Sequence, residues 1–289
     1  MNYIFRPIIC FIFVFFFIPT TFLYSESKYP DRVISLSPSI TEIIYALDAW
    51  NKVVGVTMYS DFPPEVKDIQ NVGGWVNPNL EMIIQLQPDL VIMLTDQDNI
   101  FGDKLRSLGL STLSVDSNPS IAHINESIIT IGKALGKQDE SIRLKEQIES
   151  EVTTIKEILS KQEPKTVLCV IGRNPGTLED IYVVGNTSYI NELITVSGGV
   201  NVIEKKKTAL KISKEAIFSL DPDIIIEINH DKTDKEKEVK QIWSALSEAR
   251  AIKNDQLSVI SSSAILHPSQ RIIAGLKELI NIIHPQLAH

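Results

Sequence analysis

The sequence is poor in cysteine, in paired histidine and in basic charge, and each shortage removes a class of function. Its two cysteines are Cys10 and Cys169. Cys10 falls inside the opening MNYIFRPIICFIFVFFFIPTTFLYS, where one basic residue, Arg6, precedes an apolar core and then small and polar residues. Residues 1–25 therefore read as a secretory signal peptide cleaved near Ser25. A retained membrane anchor is the competing reading, because residues 8–23 approach the length of a bilayer span. A lipid anchor on Cys10 is not expected, since that residue lies inside the apolar core rather than after it. Beyond the leader only Cys169 remains, in TVLCVIG, so no intrachain disulfide is available and stability must come from a packed core. Cys169 itself reads as a small buried hydrophobe.

The five histidines, at 123, 230, 267, 284 and 289, show neither His-x-His nor His-Glu-x-x-His spacing, which argues against a closed zinc site or any resident metal cofactor. With 28 Lys and Arg against 36 Asp and Glu, the formal charge of −8 argues against nucleic acid as a partner. Gly73-Gly74 and Gly198-Gly199 match no phosphate-binding loop, and no nucleophile elbow is present, so no catalytic residues are assigned and an enzyme is not the leading expectation.

What the chain does contain is a strand and helix alternation, stated twice. Apolar runs at 33–36, 53–56, 90–94 and 112–115 alternate with helix-period segments at 40–47, 80–86 and 101–108, and the pattern restarts at 166–171 and continues to 257–260. This predicts an α/β protein with two lobes of βαβ units around mainly parallel sheets. The expected boundaries are an N-terminal lobe over 31–138, a helix over 139–162 and a C-terminal lobe over 163–289. The helix segment has neither Gly nor Pro, and Ile142, Ile148, Val152, Ile155, Ile158 and Leu159 form its apolar stripe. About 24 residues at 1.5 Å each give a rod of roughly 36 Å, long enough to connect lobes.

One phrase recurs almost in register: EMIIQLQPDLVI from Glu81 and EAIFSLDPDIII from Glu215. Pro88 and Pro222 disfavour helix at Gln87 and Asp221, so each helix should end there and turn into a strand. Glu81 and Glu215 open their helices, where the helix dipole favours an acid. Their recurrence in both lobes suggests a two-point surface for a basic partner.

Three loops hold the remaining candidates. In SLSPSITE, Ser37 or Ser39 is expected to cap a helix, with Glu42 completing a Ser-x-x-Glu box from Ser39; such a helix start also suits an anionic ligand group. MYSDFPPEV places Tyr59 and Phe62 in a Pro-rich turn, and GGWVNPN exposes Trp75. Aromatic residues beyond strand ends suit a flat or apolar ligand in an open α/β crevice.

With RVISLSPSITEIIYAL, VVGVTMYSDFPPEV, NLEMIIQLQPDLVI, SGGVNVI, ISKEAIFSLDPDIII and PSQRIIAGLKELI in this order, the sequence resembles the periplasmic substrate-binding proteins of metal-chelate ABC transporters, the cobalamin, haem and ferric-siderophore class. The likeness spans essentially the whole chain after the leader. It implies two Rossmann-like lobes joined by a single long rigid helix, a periplasmic monomer, ligand capture in the cleft and delivery to a membrane permease dimer. It further implies that Glu81 and Glu215 engage permease arginines, and that Tyr59 and Trp75 contact a corrinoid. Leu94, Ala209 or Leu210, and Leu178 stand where cobalamin binders of the class carry further aromatics. Haem is an alternative, ligated through Tyr59 or His267, although His267 also reads as a capping or packing residue before Pro268. A ferric siderophore would use Arg173 and Arg271 as cleft cations. Outside this class, a two-lobe enzyme with its active site in the same crevice and a surface-retained sensor or adhesion module are the competing functions.

Overall fold

The computed structural model describes residues 28–117, 120–229 and 235–287. Residues 1–27 with Cys10, and also His230 and His289, lie outside them, so the expected signal peptide, its cleavage and the anchoring alternative fall outside the described residues. Among the described residues no helix is long and apolar enough to cross a membrane.

The first half runs β1 (Val33–Ser35), α1 (Pro38–Ala46), β2 (Val53–Val56), β3 (Gln70–Asn71), α2 (Leu80–Gln85), β4 (Leu90–Leu94), α3 (Thr95–Gln97), α4 (Asp103–Ser107) and β5 (Thr112–Val115). Its five strands lie in the order β3-β2-β1-β4-β5, all parallel. Two helices follow, α5 (Ile121–Leu135) and α6 (Gln138–Leu159). The second half contains β6 (Lys165–Gly172), β7 (Ile181–Val184), α7 (Tyr189–Val196), β8 (Gly199–Asn201), β9 (Ala209–Ile212), α8 (Lys214–Leu220), β10 (Ile224–Ile228), α9 (Glu236–Trp243), α10 (Arg250–Lys253), β11 (Leu257–Ile260) and α11 (Ile272–Ile283). Its sheet is ordered β11-β10-β6-β7-β9, with β8 parallel to the start of β6 and β7 antiparallel to both β6 and β9.

The apolar runs predicted as buried strands are buried. Val91 to Leu94 and all of β10 are covered on both faces, as parallel strands between helix layers require. One apolar cluster lines the outer face of the first sheet through Ile34, Val91, Ile83 and Leu105. Another lines the outer face of the second through Leu168, Ile217, Ile225 and Trp243. The third is continuous from β1 and α1 through α5 and α6 to β6, α7 and α11.

That third cluster changes the picture of a lone connecting rod. The chain between the sheets is a helical hairpin, α5 then α6, and α6 packs on α5, α7 and α11. Gly136 (φ +75°) makes the turn between the two helices, and Gly132 allows their close approach, because a Cβ there would lie 2.4 Å from Ser141 Cβ. Ile148, Val152, Ile155 and Leu159 form the buried stripe of α6, spaced by four, three and four residues, while Ile142 and Ile158 fall off it and are exposed. The lobes are thus joined through a shared core.

The repeated phrase marks one structural step made twice. Helices α2 and α8 are capped by Asn79 and Ser213, whose side chains accept from the amides of Met82 and Ala216. Both helices end before the proline, but Gln87 (φ 45°) and Asp221 (φ 43°) turn left-handed rather than adopting the extended backbone usual before proline. The aspartates then tie neighbouring strands. Asp89 Oδ2 accepts from the amides of Asp31 (2.9 Å) and Arg32 (2.8 Å) at the start of β1. Asp223 Oδ2 accepts from the Thr166 amide (2.8 Å) and hydroxyl (2.7 Å) in β6.

Candidate functional site

In the first sheet the chain order reverses between β1 and β4, and the loops beyond their carboxyl ends are where an open α/β sheet binds ligands. Buried Gln97 organises this edge. Its Oε1 accepts from the Leu94 amide (3.0 Å), and its Nε2 donates to the carbonyls of Leu36 (2.7 Å) and Trp75 (2.9 Å). It therefore ties the ends of β4 and β1 to the Trp75 loop. The Met58 amide donates to the Gly73 carbonyl (3.0 Å), drawing the Tyr59 loop to the same place. Tyr59 is 58% exposed and Met58 56%, whereas Trp75 is half-buried against the core. Tyr59 and Trp75 thus belong to one strand-end surface, whereas Ser37 is buried, with Oγ 3.0 Å from Ser39 Oγ.

The capping box expected from Ser39 and Glu42 does not form. Ser37 holds the N-cap position of α1 without a side-chain cap bond, because its hydroxyl is paired with Ser39. Glu42 reaches instead into the second lobe. Its fully buried carboxylate accepts from His267 Nδ1 (2.8 Å), Arg271 Nη1 (2.9 Å) and the Ser269 hydroxyl, while its own carbonyl accepts from Gln270 Nε2 (3.0 Å). A buried carboxylate requires such compensation, and here every donor to it comes from a segment more than 220 residues away. The Arg271 guanidinium also lies 4.2 Å from the centre of the Phe62 ring, which meets Tyr45 edge-on at 5.5 Å. Behind them the Tyr189 hydroxyl, its pKa raised by burial and then by the Glu42 charge, donates to the Ile265 carbonyl (2.7 Å) and steadies the His267 segment.

Glu42, Asp61 and His267 lie close enough together for one metal ion to be considered. The Glu42 oxygen facing His267 also receives Arg271, so a guanidinium already supplies the positive charge there. This donor set fits an ion-pair clasp between lobes better than a metal centre.

Arg173, expected as a cleft cation, is 4% exposed at its side chain and is engaged in the second lobe. Its Nε donates to Glu227 Oε2 (3.0 Å), and its Nη2 lies 2.9 Å from Glu227 Oε1. The Trp243 indole donates to the same carboxylate (2.5 Å). Cys169 is buried, and burial pushes its thiol up to about 12, in keeping with an inert core residue. Glu81 and Glu215 are each in the second position of their helix and exposed. The Glu215 carboxyl is held below its ordinary range by its own backbone amide and then by Ser213.

Glu42, Gln97, Ser269 and Gln270 carry the geometry of the site and were not singled out as site residues from sequence. Gln97 sits just after an apolar strand, but two of its three partners are backbone groups of other loops, at Leu36 and Trp75, which no local pattern reveals.

Residues 33–264 match the periplasmic binding protein family. The chain belongs to that family. The family's two-lobe α/β fold is the one described above, and its members act in transport, outside the cytoplasmic membrane. The chain is 32% identical over 264 residues to YvrC of Bacillus subtilis, an uncharacterized ABC transporter substrate-binding lipoprotein, covering 89% of this chain and 81% of that one. It is 28% identical over 254 residues to the vitamin B12-binding protein of Salmonella paratyphi A, covering 87% and 90%. A crystal structure from Staphylococcus epidermidis, described as a possible iron-binding periplasmic solute-binding protein, superposes with a TM-score of 0.76 at 26% identity, over 89% of this chain and all of that one.

Proposed function

We propose that this periplasmic binding protein captures a cobalamin or related corrinoid between its lobes and delivers it to the permease of an ABC importer, with no catalytic step. The observation that carries the reading is the strand-end surface of the first lobe, where exposed Tyr59 and Met58 lie beside half-buried Trp75. A broad, largely uncharged macrocycle matches an aromatic surface of this kind. Arg173 and Arg271 are both paired with buried carboxylates, which favours a ligand of low net charge over an anionic ferric siderophore. The relative that binds vitamin B12 supports the same choice.

One observation favours haem as the second reading. Glu42 fixes His267 through Nδ1, and a histidine held in this way presents Nε2 to a metal. The half-buried His267 has no protein partner at Nε2 among the described residues, so it can be aimed at an iron held in the cleft.

Delivery would use Glu81 and Glu215 as one docking acid on each lobe, on a monomer engaging a permease dimer. The test is the absorption spectrum of the protein exported by its natural host. Corrinoid bands are expected; a Soret band lost in His267→Ala would replace corrinoid by haem, and a ferric catecholate or hydroxamate band would overturn both.

A further inference from the structure

The acids Glu81 and Glu215 do not stand alone on their helices. Three residues after each, on the same helix face, comes a large apolar side chain left in solvent: Ile84 is 43% exposed and Phe218 46%. The residue before each, Ile83 or Ile217, is fully buried and pins its helix to the lobe. The acid, buried isoleucine, exposed hydrophobe and proline therefore occupy the same four places in both lobes.

Most of this register has a reason inside the chain. The buried isoleucines serve the core, and the Pro-Asp step joins neighbouring strands. The exposed pair has none. A single exposed apolar residue needs no explanation, but two at matched places beside matched acids do, in copies that differ at intervening positions such as Met82 and Ala216, or Gln85 and Ser219. No ion pair among the described residues involves either acid.

We infer that each lobe docks through an acid and an apolar anchor together, Glu81 with Ile84 and Glu215 with Phe218. The partner is a membrane permease made of two like subunits, each offering a cation beside an apolar depression. Charge complementarity calls for the cation, and the repetition of the contact calls for two like subunits. The inference rests on the docking reading above and adds to it what sits next to the charge. Association would then combine a salt-sensitive component from the acids with a salt-insensitive one from the anchors.

The test is binding of the ligand-free exported chain to the cognate permease complex in lipid nanodiscs, at low and high salt. Ile84→Ala and Phe218→Ala should each weaken binding about tenfold at both salt concentrations, as truncated interface anchors do. Ile84→Val and Phe218→Leu should largely restore it, and Ile158→Ala, on the exposed side of α6, should bind as the native chain does. Glu81→Gln and Glu215→Gln should weaken binding mainly at low salt. If the acid variants lose binding while Ile84→Ala and Phe218→Ala do not, the inference is overturned and acid docking stands. If the acid variants bind as the native chain does, the docking reading falls and the inference with it. Melting temperatures unchanged from the native chain confirm that each variant is folded.

Discussion

At the carboxyl ends of β1 and β4 the first lobe holds Gln97, an uncharged amide bonded to three backbone groups. At the corresponding ends of β6 and β10 the second lobe holds the Arg173–Glu227 ion pair with Trp243 on it. The amide joins the loops beside which Tyr59 and Met58 are exposed. The ion pair and indole are buried among the second lobe's own groups. The two strand ends therefore differ, with Tyr59 and Met58 exposed beside the first and a buried, self-satisfied ion pair at the second; under the proposed function the first lobe supplies the aromatic contact. Glu42 connects the two by drawing the His267 to Arg271 segment of the second lobe onto α1 of the first.

Substitutions can break this contrast from either side. The largest effect is expected from Arg173→Met, which strands the Glu227 carboxylate in the core. Breaking a buried pair from one side costs about 3–5 kcal/mol, readable as a lower urea midpoint, and cobalamin affinity should change little if the pair is structural. Gln97→Leu should cost less stability, about 1–3 kcal/mol for buried backbone groups left unpaired, yet lower cobalamin affinity more than Arg173→Met does, because it releases the Trp75 loop. Equal affinity losses in the two variants would erase the proposed asymmetry.

The smallest effect compares the matched aspartates, whose removal should cost about 1–2 kcal/mol each. For Asp223, burial pushes the carboxyl pKa up, but bonds from the Thr166 hydroxyl and amide and the Arg250 charge bring it below the ordinary value. A lowered folded-state pKa stabilises the protein above the unfolded aspartate value of about 3.9, and that contribution is lost as pH falls through the lowered value. Asp223→Asn should therefore lose stability at neutral pH and flatten the acid limb of the stability profile, measured by urea unfolding at several pH values.

The elements with local signals were legible in the sequence. The Leu-x-Pro-Asp step ended two helices and began two buried strands, and Cys169 read correctly as core. Glu42 was misread because Ser-x-x-Glu is a local rule, whereas its partners lie 225 and more residues away. Arg173 looked like a free cation because its counter-charge, Glu227, sits inside the apolar run IIIEI, where a buried acid leaves no periodic trace. The long helix expected over 139–162 is α6, Gln138–Leu159; its packing on α5 and the shared core were not legible because they rest on contacts between elements. Tyr59 and Trp75 drew notice because aromatics in Pro- and Gly-rich turns stand out against a chain with 7% aromatic residues, and their contact with a ligand is part of the proposed function.

The most direct measurement is calorimetric titration of the purified chain with cyanocobalamin, alongside Tyr59→Ala and Trp75→Ala. Saturable one-site binding by the native chain, weakened at least about tenfold in each variant as expected for truncated central aromatic contacts, is the predicted result. Native heats no larger than dilution, or variants that bind as tightly as the native chain, would contradict the assignment of a corrinoid to the first-lobe surface.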